Sequence, residues 1–272
     1  MMANDRDHPA PPGVDTSVAH SARIYDWWLG GKDNFSADRA MGEAITSAIP
    51  SIRTMARENR KFLGRAVRHL VNDAGIRQFL DIGTGIPTES NVHEVAQDLA
   101  PDARVVYVDN DPIVLAHARA LLVSGDRGQT AYIHADLNEP ERILTNLALT
   151  RTLDLDQPVG LVMVAILMLQ RDAEDPWAKS RALMDALPSG SYVAISHPGR
   201  DFDPETMATI EAVAAQGNVT MVPRVREEVA RFFADWELID PGLVPVKAWR
   251  PPVEPVPNPH AAYYWAGVAR KP

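Results

Sequence analysis

Apolar residues along this chain recur in two rhythms that take turns. Over residues 58–74, Phe62, Leu63, Ala66, Val67, Leu70 and Val71 return at the three- and four-residue spacing of one helix face, and Gly75 supplies a stop. Residues 77–82 then read as a short apolar strand running into Gly83-Thr84-Gly85, with a helical stretch over about 89–99 behind it. A second strand spans 104–109, and Asp111-Pro112 opens another helix with a capping side chain followed by proline. The alternation continues with strands over 130–134, 159–169 and 191–196 and helices over 139–148 and 176–187. Strands this uniformly apolar are buried on both faces, which predicts a doubly wound α/β domain with a mostly parallel sheet.

The two ends of the chain depart from that alternation. Upstream, 17–29 and 37–49 read as helices around the turn Gly30-Gly31-Lys32-Asp33-Asn34-Phe35. Downstream come helices over 204–216 and 225–234, then strand-like runs over 236–239 and 262–268 separated by the proline-rich stretch 251–259. An antiparallel pair closing the sheet accounts for these runs. The expected organisation is a flexible tail over 1–16, an N-terminal helical cap or lid over 17–57, and a core over 58–272.

Composition narrows the partners. The chain has 272 residues with 36 Asp and Glu against 27 Lys and Arg, a formal charge of −9 that disfavours nucleic acid and anionic membranes as general partners. It contains no cysteine, so a thiolate metal site and a cysteine nucleophile are excluded. No apolar run approaches the roughly 20 residues of a membrane span, and no signal-like stretch opens the sequence. A cytoplasmic protein acting on a small molecule is the expectation, and the sequence leaves its oligomeric state open.

Chemistry gathers at the carboxyl ends of the predicted strands, where open α/β sheets bind ligands. Gly83 and Gly85 allow a tight turn and a close backbone approach. Asp109 ends the second strand 26 residues after Gly83, close to the spacing at which a carboxylate accepts from ribose hydroxyls. Asp136, just after the third strand, suits an exocyclic amine. A dinucleotide fingerprint would carry Gly or Ala where Thr88 stands, and the carboxylate of Asp81 would repel a pyrophosphate. Asp81 suits an ammonium group, and its apolar-Asp-x-Gly-x-Gly context looks like the first motif of S-adenosylmethionine-dependent methyltransferases.

A narrower resemblance runs through ARIYDWWLGGKDNFSADRA (22–40), ENRKFLGRAVRHL (58–70), GIRQFLDIGTGIPTESNVHEVAQ (75–97) and ARVVYVDNDPIVLAHARALL (103–122). It continues through YIHADL (132–137), SHPGRD (196–201), REEVARFF (226–233), PGLVPVKAWRP (241–251) and GVARKP (267–272). Over nearly its whole length the chain resembles the S-adenosyl methyltransferase family once catalogued as a domain of unknown function and best represented in actinomycetes. The resemblance implies a seven-strand Rossmann-like sheet with an antiparallel final strand. It also implies that Gly83, Thr84, Gly85 and Pro87 wrap the methionine part of S-adenosylmethionine, that Asp109 and Asn110 address its ribose, and that Asp136 and Leu137 face its adenine. Where similar sequences tend to read Ala-Val-Leu-His-Phe, this one has Ala165-Ile166-Leu167-Met168-Leu169, which removes a ring nitrogen from the pocket floor.

For the acceptor side, Tyr25, Trp27, Trp28 and Phe35 offer apolar walls, although at least two of the three aromatics Tyr25, Trp27 and Trp28 are expected simply to pack the first helix. Lys32, Asp33 and Asn34 could meet the cofactor's charged end or the acceptor, and Arg57 and Arg60 a carboxylate. His197, after the fifth strand, is the candidate general base. Gln170-Arg171-Asp172 stands where an amino-methylating enzyme would carry Asn/Asp-Pro-Pro-aromatic, and Asp172, Glu174 and Asp175 read as a solvated acidic turn. No metal is expected. These readings converge on an S-adenosylmethionine-dependent methyltransferase with a small-molecule acceptor. The alternatives are a non-catalytic nucleoside-binding regulator and, more distantly, an NAD-dependent oxidoreductase.

Overall fold

A computed structural model describes residues 10, 14–87, 90–114, 116 and 128–272. Most of the expected tail, Thr88, Glu89 and all but the opening of the helix at Pro112 lie outside the described residues. Five parallel strands form the centre of the sheet: β1 (Gln78–Ile82), β2 (Arg104–Asp109), β3 (Gln129–His134), β4 (Gly160–Val164) and β5 (Tyr192–Pro198). β6 (Glu237–Leu238), β7 (Val244–Pro245) and β8 (Tyr264–Arg270) complete it, in the order β3-β2-β1-β4-β5-β8-β6 with β7 also on β8. β8 runs antiparallel to β5, as the C-terminal apolar runs predict.

The strand count is eight rather than seven because the outer partner of β8 is interrupted. β6 pairs with residues 269–270 and β7 with 265–266 along the same strand, and Pro241 and Gly242 lie in the turn between them. Proline has no amide hydrogen to give to a ladder, so pairing stops there and resumes.

Side chains of each central strand point alternately to two cores. Phe79, Val105, Tyr107, Val162 and Ala194 join one core with α1 (Ser21–Leu29), α2 (Ser36–Ala48), α3 (Ile52–Asn72) and α4 (Val92–Leu99). Leu80, Val106, Val108, Leu161, Met163 and Val193 face the other, under α5 (Pro140–Leu144), α6 (Leu147–Thr152) and α7 (Pro176–Asp185). α8 (Pro204–Gln216) adds Met207, Ile210 and Ala214 to the first core, and α9 (Arg226–Ala230) adds Val229 to the second.

Two element boundaries shift from expectation for physical reasons. α3 starts at Ile52 rather than near residue 58 and runs unbroken across residues 57 and 58, because Ile52, Met55 and Ala56 already carry its buried stripe. The apolar run 159–169 is not one strand: β4 stops at Val164, Ala165 takes a left-handed backbone (φ 57°), and Leu167–Leu169 coils into a 3-10 turn. The amide of Ala165 is drawn off by Ser196, whose backbone oxygen (3.2 Å) and Oγ (3.1 Å) both accept from it.

Candidate active site

Strand order reverses between β1 and β4, and a cavity of about 390 Å3 opens at the carboxyl ends of the strands around this point. The turns after β1, β2, β3 and β4 supply its floor and one wall, while α1, α3 and the loop after α8 supply the rest.

The glycine turn after β1 is shaped by two conformational demands. Gly83 has φ 71°, and a Cβ there would overlap the side chain of Ile166 from the turn after β4. Gly85 has φ 67°, yet no atom lies within 4 Å of where its Cβ would stand, so the missing side chain leaves a cradle open to the cavity. The amide of Gly85 donates to Asp109 Oδ2 (2.8 Å), and Asp109 Oδ1 accepts from the amide of Asp111 (2.9 Å). Burial raises the pKa of Asp109 against the pull of these amides. Beside it, Asn110 Nδ2 donates to Asp136 Oδ2 (2.8 Å), while Asp136 Oδ1 accepts from the amide of Asn138 (2.7 Å), so the loops after β2 and β3 form one polar rim.

Asp81 shares the sheet face of Phe79 and lies buried beneath α3. Burial pushes its carboxyl up to about 7; the nearby Arg60 opposes this and Asp109 adds to it. Arg60 is itself held by Asn91, whose Oδ1 accepts from Nη2 at 2.7 Å. A buried carboxyl poised between its charged and neutral forms suits an incoming cationic amine.

Opposite the rim, a directed chain of hydrogen bonds ties the cap to the sheet. Ala165 N–H donates to Ser196 Oγ, the Ser196 hydroxyl to Asn59 Oδ1, Asn59 Nδ2 to Tyr25 Oη (3.0 Å), and the Tyr25 hydroxyl to the carbonyl of Ala56 (3.0 Å). Met168 closes the floor, its sulfur accepting from the buried Tyr264 hydroxyl at 3.6 Å.

Asp81, Gly83, Thr84, Gly85, Asp109, Asn110, Asp136, Leu137, Tyr25, Arg60 and Met168 are therefore brought to one cavity, as the sequence suggests. Other candidates are placed elsewhere. Pro87 faces a neighbouring groove instead, as does Asp33, and Lys32 lines neither space. Asn34 is buried, giving its Nδ2 to Asp26 Oδ2 (2.8 Å) and to the carbonyl of Gly31 (3.1 Å), so the polar turn serves its own geometry. Phe35 packs behind the glycine turn with Ile86, Ile113 and Val114. Trp28 is buried with Nε1 on the carbonyl of Gly42, and Trp27 lies under Arg53; both pack the cap while Tyr25 reaches the cavity.

His197 is not positioned as a general base. It is fully buried outside the cavity, and Arg224 Nη1 donates to its Nε2 at 2.8 Å while its Nδ1 faces the carbonyl of Pro198 at 3.0 Å. Burial, then the guanidinium of Arg224, lowers its pKa to about 3, so the ring is neutral and its lone pair is occupied. Arg224, buried itself, also binds the carbonyls of Leu167 (3.1 Å) and Gln170 (2.8 Å) and Asp172 Oδ1 (2.7 Å), and so shapes the turn after β4. Asp172 is thus an ion-pair partner as well as a surface carboxylate.

Sequence reasoning missed His20, Asn59 and the 218–220 loop, all of which line the cavity. His20 Nδ1 lies 3.0 Å from Asp111 Oδ2, and its amide donates to Asp38 Oδ1 (2.8 Å). Asn59 carried a usable signal: it is a polar residue on the apolar stripe of α3, between Met55 and Phe62. Among the described residues no group of three or more His, Asp or Glu gathers as a metal site, and no helix is long and apolar enough to cross a membrane.

Comparison with known proteins identifies the family. The chain is similar to a protein of the DUF574 family from Streptomyces avermitilis MA-4680, at 45% identity over 95% of this chain and 99% of that one, with a TM-score of 0.91. It is also similar to a candidate methyltransferase from Thermobifida fusca YX, at 42% identity over 96% and 98% of the two chains, with a TM-score of 0.89. Mitomycin 7-O-methyltransferase, at 18% identity over 81% of this chain and 56% of its own (TM-score 0.50), shares the fold. No curated protein matches the chain. The profile of the S-adenosyl methyltransferases matches residues 7–272, and the chain belongs to that family of enzymes, whose cofactor is S-adenosylmethionine.

Proposed function

We propose that this enzyme methylates a small organic acceptor held between the cap and the strand ends. The observation that carries this reading is the roof over the cavity: Tyr25 of α1 and the 218–220 loop face Met168 and Ile166 across a space of about 390 Å3. The cofactor itself takes up much of this volume, and a roof formed from the chain leaves beside it room for a small acceptor and little for a polymer.

When bound, S-adenosylmethionine supplies an electrophilic methyl group on a sulfonium. Asp81 is suited to receive the ammonium of its methionine end, and Arg60 the carboxylate. Asp109 fixes the Gly85 amide and keeps lone pairs for ribose hydroxyls, since a carboxylate has about four acceptor sites and the two amides use only two. Asp136 and Leu137, which line the same cavity, are suited to the adenine. The remaining wall, with Tyr25, Met168 and Ile166, is mainly apolar and excludes water from the acceptor, which transfer by proximity requires. His20, and not His197, is the imidazole that lines the cavity.

Titration with S-adenosylhomocysteine, followed by a screen of small molecules with methyl-labelled cofactor, tests this. The expected result is saturable cofactor binding and label transferred to a low-mass product. Cofactor binding with label transferred only to protein or nucleic acid would overturn the small-acceptor reading.

A further inference from the structure

On the other side of Arg60 from the cofactor cavity lies a groove of about 1070 Å3. In a chain of net charge −9, its lining carries seven cations against three carboxylates. Arg57, Lys61, Arg65 and Arg68 run along one face of α3 at intervals of three or four residues, and Lys247 and Arg250 stand on the opposite wall.

The two walls are held at a fixed separation. Arg65 donates to the carbonyls of Trp249 (2.8 Å) and Val246 (2.6 Å), and Lys247 Nζ donates to those of Pro257 (2.6 Å) and Asn258 (3.1 Å). Carboxylates of the lining are engaged within the protein: Asp26 accepts from Asn34, and Glu58 pairs with Lys61 at 2.7 Å. Arg57 and Arg68 are exposed and make no hydrogen bond or ion pair among the described residues. Positive charge concentrated in a concavity repels itself and attracts an anion. The lining is also apolar, with Leu29, Val256 and Val253, the last 74% exposed.

We propose that this groove binds an amphipathic organic acid, a small molecule with one or two carboxylate or phosphate groups on an apolar body. Guanidinium groups pair with such oxyanions in a bidentate fork, and the apolar residues of the groove cover the body. An extended acidic peptide fits less well, because Pro251, Pro252 and Pro257 in the far wall offer no amide hydrogens to pair with its backbone. A bilayer surface fits less well too, because the cations line the inside of a concavity. The site is separate from the methyl-transfer reading, although Arg60 lines both spaces.

The test is calorimetric titration of the full chain with octyl phosphate and with octanoate, both below their micellar concentrations, alongside Arg57→Glu and Arg68→Glu. Saturable binding that weakens about tenfold or more in each variant, and weakens with added salt, supports the proposal. Equal binding of octyltrimethylammonium, unchanged affinity in both variants, or no saturable heat would overturn it. So would binding confined to phosphatidylglycerol vesicles or to a glutamate-rich peptide. Circular dichroism establishes that the variants fold. The affinity of Arg68→Glu for S-adenosylhomocysteine is expected to match that of the unaltered chain, and failure of the unaltered chain to bind S-adenosylhomocysteine while it still binds the acid would count against the proposed function alone.

Discussion

Asp81, which is buried, and Asp109, which is half-buried, both bring a carboxylate to the cavity, yet they do different work. Asp109 gives its oxygens to two backbone amides and so holds the glycine turn, and under the proposed function its remaining lone pairs meet a ribose. Replacing it with alanine leaves both amides without their acceptor, at about 1–3 kcal/mol. Asp109→Ala is therefore expected to weaken S-adenosylhomocysteine binding by at least about tenfold in calorimetry. Asp81 is expected to exchange a proton when a cationic ligand arrives. Its folded pKa of about 7 lies above the ordinary 3.8, so its contribution to stability is complete below 3.8 and is lost as pH rises through about 7. An ammonium partner favours the ionised form, so cofactor binding just below pH 7 should release a proton. The binding enthalpy there should vary with the ionisation enthalpy of the buffer, and Asp81→Asn should abolish that variation while weakening affinity. His197 is the contrasting case, since neither of its ring nitrogens faces the ligand. His197→Ala is expected to destabilise the fold by about 2–4 kcal/mol in urea titration, through a lost acceptor for a buried guanidinium and a cavity against Phe232, with cofactor affinity little changed.

At the scale of elements, the parallel strands were legible because both of their faces are buried, which writes them as short apolar words between turn residues. The same uniformity hid the end of β4, since an apolar run has no period to mark where Ser196 captures the amide of Ala165. The glycine turn and the acids at the ends of β1, β2 and β3 were readable from spacing, because each sits at a strand end by construction of the fold. The partner of Arg224 was not: residues 172, 197 and 224 meet only once the turn after β4 has folded over β5. Asn59 shows what is lost when one polar residue on an apolar stripe is passed over, because it links α1, α3 and β5. Asn59→Ala takes the donor from the Tyr25 oxygen and the acceptor from the Ser196 hydroxyl and is expected to cost about 1–3 kcal/mol. Thermal melting would register the loss, and Asn59→Asp, which keeps the acceptor toward Ser196 but not the donor toward Tyr25, should recover only part of it.

At the scale of the whole molecule, the cap is part of the same core as the sheet: Ile24, Trp28, Ile45 and Ile49 belong to the cluster that contains Phe79 and Val162. A buried polar set reinforces the attachment. His20 and Arg23 of the cap approach Asp111 at 3.0 and 3.3 Å, and Arg23 also lies 3.6 Å from Asp38. Because residues 19–25 form one side of the cavity, this attachment governs time as well as shape. The wall is expected to yield when cofactor enters or spent cofactor leaves, and its opening is then expected to be the slow event of each cycle. In stopped-flow mixing with S-adenosylhomocysteine, the observed rate should therefore level off at high ligand concentration instead of rising in proportion to it. Arg23→Ala should lift that plateau, and a rate linear in ligand for the unaltered chain would show that the doorway stands open.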